Sequence, residues 1–129
     1  MSNRIRHWLT HGLLRLLRPR EQAVLQQVNL ARRALGRAPL QQLPTGRPRH
    51  ARQCPLAQTL GGLVGPCGIA YTSRKQAQRV ARAWGTRWEQ RIRRYLVYFP
   101  PELSRFVQDY DLHAFPHLEI RSTFPLTTA

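Results

Sequence analysis

The sequence is poor in acidic residues, in cysteine and in long hydrophobic runs. Six acidic residues stand against 21 basic ones among 129, and the formal net charge is +15. Two cysteines are too few for the disulfide framework of a small secreted domain. No stretch approaches the roughly 20 consecutive apolar residues that a transmembrane helix needs. These shortages exclude a disulfide-rich scaffold and a membrane-spanning segment, and they lead us to expect a cytoplasmic protein.

Several motifs of catalysis are missing as well. The sequence has no Gly-rich phosphate loop, no G-x-S-x-G motif and no paired carboxylates for acid–base chemistry. We therefore expect a protein that is not an enzyme and that needs no cofactor and no metal.

The cysteines leave some alternatives open. Cys54 precedes a proline and is predicted to cap a helix, a position that can activate a thiol, and His50 lies four residues before it. A small buried residue is the more ordinary interpretation of Cys54. With Cys67, the sequence also allows a disulfide, or a zinc site in which His50, Cys54 and Cys67 supply three ligands.

The basic residues are unevenly distributed. Residues 1–53 hold eleven basic and one acidic side chain, residues 54–94 hold eight and one, and residues 95–129 hold two and four. A GC-rich genome would explain the preference for arginine over lysine, but it does not explain the scarcity of acids. A strongly positive chain favours polyanionic partners, and DNA, RNA and an anionic membrane are the candidates.

Residues 1–35 are predicted to form two amphipathic helices. In residues 3–18, Trp8, Leu9 and further leucines keep a helical period opposite arginines and histidines. This segment has three interpretations: its apolar stripe packs on the core, it lies on an anionic membrane through Trp8 and Leu9, or it is a mitochondrial presequence. The second helix is predicted over residues 19–35.

Residues 36–53 are predicted to be a flexible basic linker or arm, because three prolines interrupt regular structure there. Residues 46–49 (Gly-Arg-Pro-Arg) resemble the core of an AT-hook, an arm that lies in the minor groove of A·T-rich DNA. Thr45 stands where that family has its leading arginine, so one groove-inserted guanidinium is missing. The resemblance implies that Arg47 and Arg49 contact nucleic acid, and a solvated basic loop is the alternative.

A basic amphipathic helix is predicted over residues 74–84. Ser73 and Gln76 have the spacing of a capping box, and Gly85 follows where helices commonly end. Cations in the first turn oppose the helix dipole, so an anionic partner explains them better than stability does. The predicted phosphate contacts of this helix and of the segment after it are Arg74, Lys75, Arg79, Arg82, Arg91, Arg93 and Arg94.

Short apolar runs before and after this helix are typical of strands. We predict strands over residues 68–72 and 95–99, which with the basic helix would form a small βαβ unit. Residues 86–94 are predicted to be a short helix or an irregular turn, and a last helix follows Pro100.

The predicted fold is a small single α+β domain with three to five helices and a two- or three-stranded sheet. Its predicted parts are amphipathic helices in 1–35, a flexible basic linker or arm in 36–53, an α+β core in 54–121 and a loose tail in 122–129.

Several short motifs lie along the chain: Cys54-Pro55-Leu56-Ala57, Ala83-Trp84-Gly85-Thr86, Pro100-Pro101-Glu102-Leu103, Phe106-Val107, Asp111, Phe115-Pro116 and Leu118. Together they resemble small uncharacterised proteins of high-GC Gram-positive bacteria and their phages, over about residues 25–119. The resemblance implies a bacterial or phage cytoplasmic protein, and it implies that Cys54-Pro55 is an element of the fold. It implies no activity and no functional residue.

The function that the sequence predicts is low-specificity binding of DNA or RNA through arginine contacts to phosphates. Two alternatives remain. One is a protein-interaction module, such as a phage or bacterial accessory or structural subunit whose basic face meets an acidic partner. The other is a peripheral membrane protein that acts through residues 3–18. The sequence leaves the oligomeric state open.

Overall fold

The structure is a computed structural model that describes residues 19–120, so the predicted helix in 3–18 and the tail in 122–129 lie outside the described residues. The helices are α1 (Pro19–Ala34), α2 (Pro55–Leu60), α3 (Arg74–Trp84) and α4 (Pro101–Asp111), with a 3₁₀ turn at Pro116–Leu118. The strands are β1 (Leu63–Val64), β2 (Gly68–Tyr71), β3 (Trp88–Arg91) and β4 (Arg94–Tyr98).

The four strands form one antiparallel sheet in the order β1-β2-β4-β3. The predicted α+β class is confirmed, and the sheet has one strand more than the predicted maximum. The predicted βαβ unit and the predicted helix or irregular turn over residues 86–94 are both wrong. The chain that leaves α3 first forms β3, which runs parallel to β2. It then reverses through a hairpin, so β4 enters between them antiparallel to both.

The core lies between the sheet and the helices. α3 packs on the sheet, and α1 packs against α3, α2 and α4. Ile69 of β2, Val97 of β4 and Val80 of α3 are fully buried, as is Val28 of α1. The indole N–H of Trp84 donates to a backbone carbonyl of α1 at 2.8 Å, which ties the end of α3 to α1. α1 therefore belongs to the same core as the residues after 54.

The segment 36–53 follows the surface of the domain instead of extending from it as a flexible arm. The side chain of Asn29 in α1 exchanges two hydrogen bonds with the backbone of Leu40, at 2.8 and 2.9 Å. Further along, Gly46 bonds to the backbone of Leu118 and Ile120 at 2.8 and 2.9 Å. Prolines exclude regular structure from this segment, as predicted, but these contacts replace the hydrogen bonds that a helix or strand would have supplied.

α4 and the chain after it enclose the other side of the core. Phe106 and Tyr110 face inward from α4, and Phe115 packs against Phe106 with the ring centroids 5.0 Å apart. The Tyr110 hydroxyl donates to the backbone carbonyl of Leu118 at 2.9 Å. The predicted helix after Pro100 is confirmed, and the buried Phe115 and Leu118 close the core beside it.

The close approach of β2 and β4 depends on Gly68, and a pair of glycine substitutions tests this. A β-carbon at Gly68 would lie 2.2 Å from the Val97 carbonyl oxygen, whereas one at Gly65 would meet nothing within 4 Å. We expect Gly68→Ala to lower the free energy of unfolding by about 1–3 kcal/mol through overpacking. Gly65→Ala should stay within about 0.5 kcal/mol of the parent in urea denaturation. Equal stability of the two variants would contradict this packing.

Candidate nucleic-acid interface

α3 carries the first group of predicted contacts. Its bounds, its cap and its end are as predicted: the Ser73 hydroxyl accepts from the Gln76 backbone N–H at 3.3 Å, and Gly85 closes the helix with a φ of 68°. The apolar stripe of α3 is buried against α1 and the sheet, so its cations point away from the core. These exposed cations, the helix set, are Arg74, Lys75, Arg79 and Arg82.

The start of α3 is positive for two reasons. Two cations and no acidic residue occupy its first turn. The aligned peptide dipoles add about half a positive charge there, and the first backbone N–H groups have no acceptor within the helix. The Arg74 guanidinium lies 5.3 Å from the centroid of the Trp88 ring, which holds it toward β3. An anion at this helix start would meet both the amides and the side chains.

The β3–β4 hairpin carries the second group. Arg91 pairs with Arg94, so the turn consists of Ile92 and Arg93 alone. Two-residue turns of this kind favour Asn-Gly and related pairs. Arg93 nevertheless adopts a φ of 63°, a left-handed conformation that costs a non-glycine residue about 1–2 kcal/mol. We call residues 91–94 the hairpin tip.

The hairpin tip and the start of α3 lie at the same end of the sheet. Tyr71, the last residue of β2, pairs with Tyr95, which directly follows the tip, and α3 begins three residues after Tyr71. A cavity of about 450 Å³ lies here, with Arg94, Gln76 of α3 and Arg52 in its wall. We call this end, comprising Arg52, the start of α3 and the hairpin tip, the basic end.

The predicted contacts then divide between two faces of the molecule. Side chains alternate along a strand, so Tyr95 points to the α3 side of the sheet while Arg94 and its partner Arg91 point to the other side. The rest of the helix set continues along α3, and Arg82 lies about 12 Å along the helix axis from its start. The structure thus gathers part of the predicted set at one end without placing all of it on a single surface.

Acidic side chains are concentrated elsewhere. The sequence has no Asp or Glu before residue 19 or after residue 120, so all six lie in the described range. Five of the six lie on α1, on α4 and in the segment after α4. Four of these carboxylates have partners: Glu21 with His117, Asp109 with Arg20, Asp111 with the Arg49 backbone N–H, and Glu119 with His113.

Glu89 of β3 is the remaining acid, and it is the counter-ion of the hairpin. It accepts a hydrogen bond from the Tyr98 hydroxyl and forms an ion pair with Arg91 at 2.7 Å. The Tyr98 hydrogen bond, and then the charges of Arg91 and Arg87, hold the pKa of Glu89 below its usual value. The other two arginines of the hairpin tip form no ion pair with the described carboxylates.

The two arginines of the predicted arm are not joined to this group. The Arg47 backbone N–H donates to the Gln53 carbonyl, and the Arg49 backbone N–H donates to the Asp111 carboxylate at the end of α4, both at 2.8 Å. Arg49 lines a different cavity, together with Asp111. Both side chains are exposed, but they lie on a segment that is hydrogen-bonded to the domain.

Cys54 is a buried cap residue at the start of α2. Burial raises the pKa of its thiol, which keeps it protonated at neutral pH. Its contact with His50 is a backbone hydrogen bond of 3.1 Å from the Cys54 N–H to the His50 carbonyl. Cys54 and Cys67 are both free thiols. Within residues 19–120 no three His, Cys, Asp or Glu side chains are placed to hold a metal ion, which contradicts the zinc alternative.

A scan against protein-family models, a search of curated proteins and a search of solved structures each found no match. The resemblance to small proteins of high-GC Gram-positive bacteria and their phages therefore stays a prediction. Among the described helices, none is both long enough and apolar enough to cross a lipid bilayer.

Sequence reasoning missed three residues of interest: Arg52 in the cavity wall, Arg87 against the Tyr98 ring, and Ile92 at the hairpin tip. Trp88 to Arg91 hold one apolar residue followed by three polar ones, so they show no alternation that would indicate a strand. The helical spacing of the aromatic residues around them therefore favoured the wrong prediction. Arg52 carries no local signal, because it reaches the cavity through the fold of the loop.

Alkylation tests the assignment of the two thiols. At pH 8 iodoacetamide should modify Cys67 and spare Cys54 in the native protein, because burial both shields Cys54 and lowers its thiolate fraction. Intact-mass spectrometry should detect one adduct in buffer and two in urea. A Cys67→Ser variant should give none in buffer. Rapid native labelling of Cys54 would revive the case for a reactive thiol.

Proposed function

We propose that this protein binds nucleic acid through the basic end and the exposed face of α3, mainly by contacts to phosphates. One observation carries the proposal. The predicted contacts on α3 and the hairpin have a single carboxylate among them, Glu89, while the other acids lie on α1, on α4 and after α4. Folding alone does not require this separation of charge, whereas the binding of a polyanion is favoured by it.

The geometry suits a phosphate backbone. Phosphates along one DNA strand are spaced by about 3.4 Å of helix axis. The helix set extends over about 12 Å, so it can meet several phosphates in succession. Guanidinium groups bind phosphate oxygens in a bidentate way, and the amides at the start of α3 add donors that need no side-chain rearrangement.

Sequence specificity is low in this proposal, because contacts to phosphates position a protein without reading bases. The Trp88 ring is covered by the Arg74 guanidinium, which leaves that face of the ring closed to a base. We place the binding in the cytoplasm, where the free thiols of Cys54 and Cys67 remain reduced.

Salt dependence tests the proposal. With about six phosphate contacts, the logarithm of the affinity for duplex DNA should fall against the logarithm of salt concentration with a slope near −5. Replacing Arg79 and Arg82 by alanine should reduce the magnitude of that slope by about 2. Fluorescence anisotropy in a salt titration measures the slopes of the parent and of the double variant. The side chains of Arg79 and Arg82 are exposed, so the double variant should melt at the same temperature as the parent.

The matched control replaces Arg33 and Arg105 by alanine. These arginines are also exposed and form no ion pair among the described residues, but they lie on α1 and α4. The control changes the net charge equally and should leave the slope unchanged. Equal slopes for the two double variants, or a flat salt response of the parent, would refute the proposed interface. Stoichiometric recovery of an acidic protein after nuclease treatment would favour the interaction-module alternative.

The counter-ion Glu89 provides a test in the opposite direction. Glu89→Gln keeps an acceptor for the Tyr98 hydroxyl and releases Arg91 from its ion pair, so affinity for DNA should rise and the salt slope should steepen by up to about 1. Glu102→Gln is the control, because Glu102 is exposed and lies in the first turn of α4. The same gain in both variants would mean that only net charge matters, and not this site.

A further inference from the structure

Ile92 is the most exposed large apolar side chain in the described part of the chain, at 91%. It lies at the apex of the β3–β4 hairpin, with Arg91 before it and Arg93 and Arg94 after it. A single exposed apolar residue is ordinary on a protein surface. This one differs because the fold projects it from the tip of a hairpin and surrounds it with three guanidiniums.

The turn is not optimised for stability. A two-residue hairpin turn is best served by asparagine and glycine, and Arg93 holds a left-handed conformation in their place. Ile92 buries almost nothing in the fold. Both turn positions are thus occupied by residues that do not favour the turn: Arg93 carries a charge that can contact a phosphate, and Ile92 presents an apolar side chain beside it.

We propose that Ile92 is an apolar wedge that enters the minor groove of duplex DNA and inserts at a base step, while the arginines of the hairpin tip hold the phosphates beside it. The inference rests on the proposed function and adds the mode of binding. Apolar wedges of this size, isoleucine included, partially unstack a base step and kink the duplex by about 20–90°. Pyrimidine–purine steps such as TA unstack most easily, so they should be favoured sites.

The dimensions of the tip agree with this mode. The minor groove of B-DNA is about 6 Å wide, and the two strands of a hairpin are already about 4.8 Å apart before their side chains are counted. The tip therefore enters only if the groove opens, and opening accompanies a kink toward the major groove. A-form RNA has a wide and shallow minor groove, which offers no such grip, and we therefore commit to DNA.

An anionic membrane is the other environment in which an apolar tip among cations is found. Membrane insertion scales with the apolar area that is buried. Ile92 is the single apolar residue of the hairpin tip, and the charges beside it must stay in water. The area is small for a membrane and sufficient for one base step.

The test uses the full chain and a short DNA duplex with one central TA step. Fluorophores at the two ends report bending by energy transfer, and 2-aminopurine in place of the adenine of that step reports unstacking. The parent protein should raise both signals. Ile92→Ser should abolish both, with the salt slope of binding unchanged because the phosphate contacts remain.

Two further variants control the result. Leu112→Ser removes another exposed leucine-sized side chain, 77% exposed at the end of α4, and should bend and unstack the DNA as the parent does. Ile92→Phe presents a larger wedge and should retain the 2-aminopurine signal. Because Ile92 is almost fully exposed, its variants should melt at the parent temperature, so a loss of signal does not reflect unfolding.

The outcomes separate this inference from the proposed function. DNA binding with the expected salt slope, but without bending or unstacking, overturns the wedge and leaves phosphate binding intact. Bending that survives in Ile92→Ser also overturns the wedge. Binding to duplex RNA but not to duplex DNA overturns the wedge. The wedge is also overturned if the protein binds anionic phosphatidylserine vesicles, loses that binding in Ile92→Ser, and leaves the DNA straight. Absence of nucleic-acid binding at low salt removes both proposals.

Discussion

The placement of six carboxylates decides which surfaces are left positive within residues 19–120. Five of them lie on α1, on α4 and in the segment after α4. Asp109 contacts Arg20 and Glu21 contacts His117, which ties α1 to α4 and to the segment after it, and Asp111 accepts from the Arg49 backbone N–H. α3 and the hairpin hold a single acidic residue, Glu89. The cations on these two elements repel one another, and this repulsion opposes folding. The apolar contacts of α3 with α1 and the sheet must therefore hold these elements in place.

A simpler reason for charge on β3 also exists. Edge strands are protected from pairing with other chains by charged side chains, and β3 is an edge strand whose last residue is Arg91. That reason covers β3 alone. It accounts neither for the cations on the outer face of α3, which is not at a sheet edge, nor for Ile92, since an exposed apolar residue works against such protection. The proposed nucleic-acid ligand would account for the basic helix, the basic tip and the apolar apex together.

Helices were predictable here because each has a local end signal. α3 begins after Ser73 and ends before Gly85, and α2 begins at Pro55 and ends before Gly61. These limits follow from backbone preferences that need no tertiary contact. β3 was not predictable, because a four-residue strand exists only by pairing with β4. The helix set of the candidate site followed from the helical period, whereas the hairpin tip did not, because its position depends on that pairing. Arg32 illustrates the same limit: nothing in the residues around it indicates that it donates to the Thr59 carbonyl at 2.8 Å and joins α1 to α2.

Rigidity connects the strained tip to the rest of the site. A cation that must be ordered on binding loses part of its interaction energy to conformational entropy. At the basic end much of this ordering is already present: the Ser73 cap fixes the start of α3, the Trp88 ring supports Arg74, and cross-strand pairing fixes the residues on both sides of Ile92. A flexible loop with the same composition would bind phosphates by charge alone, but it would fold back from a stacked base step. A two-residue turn is held in place, because the pairing of Arg91 with Arg94 fixes both of its ends.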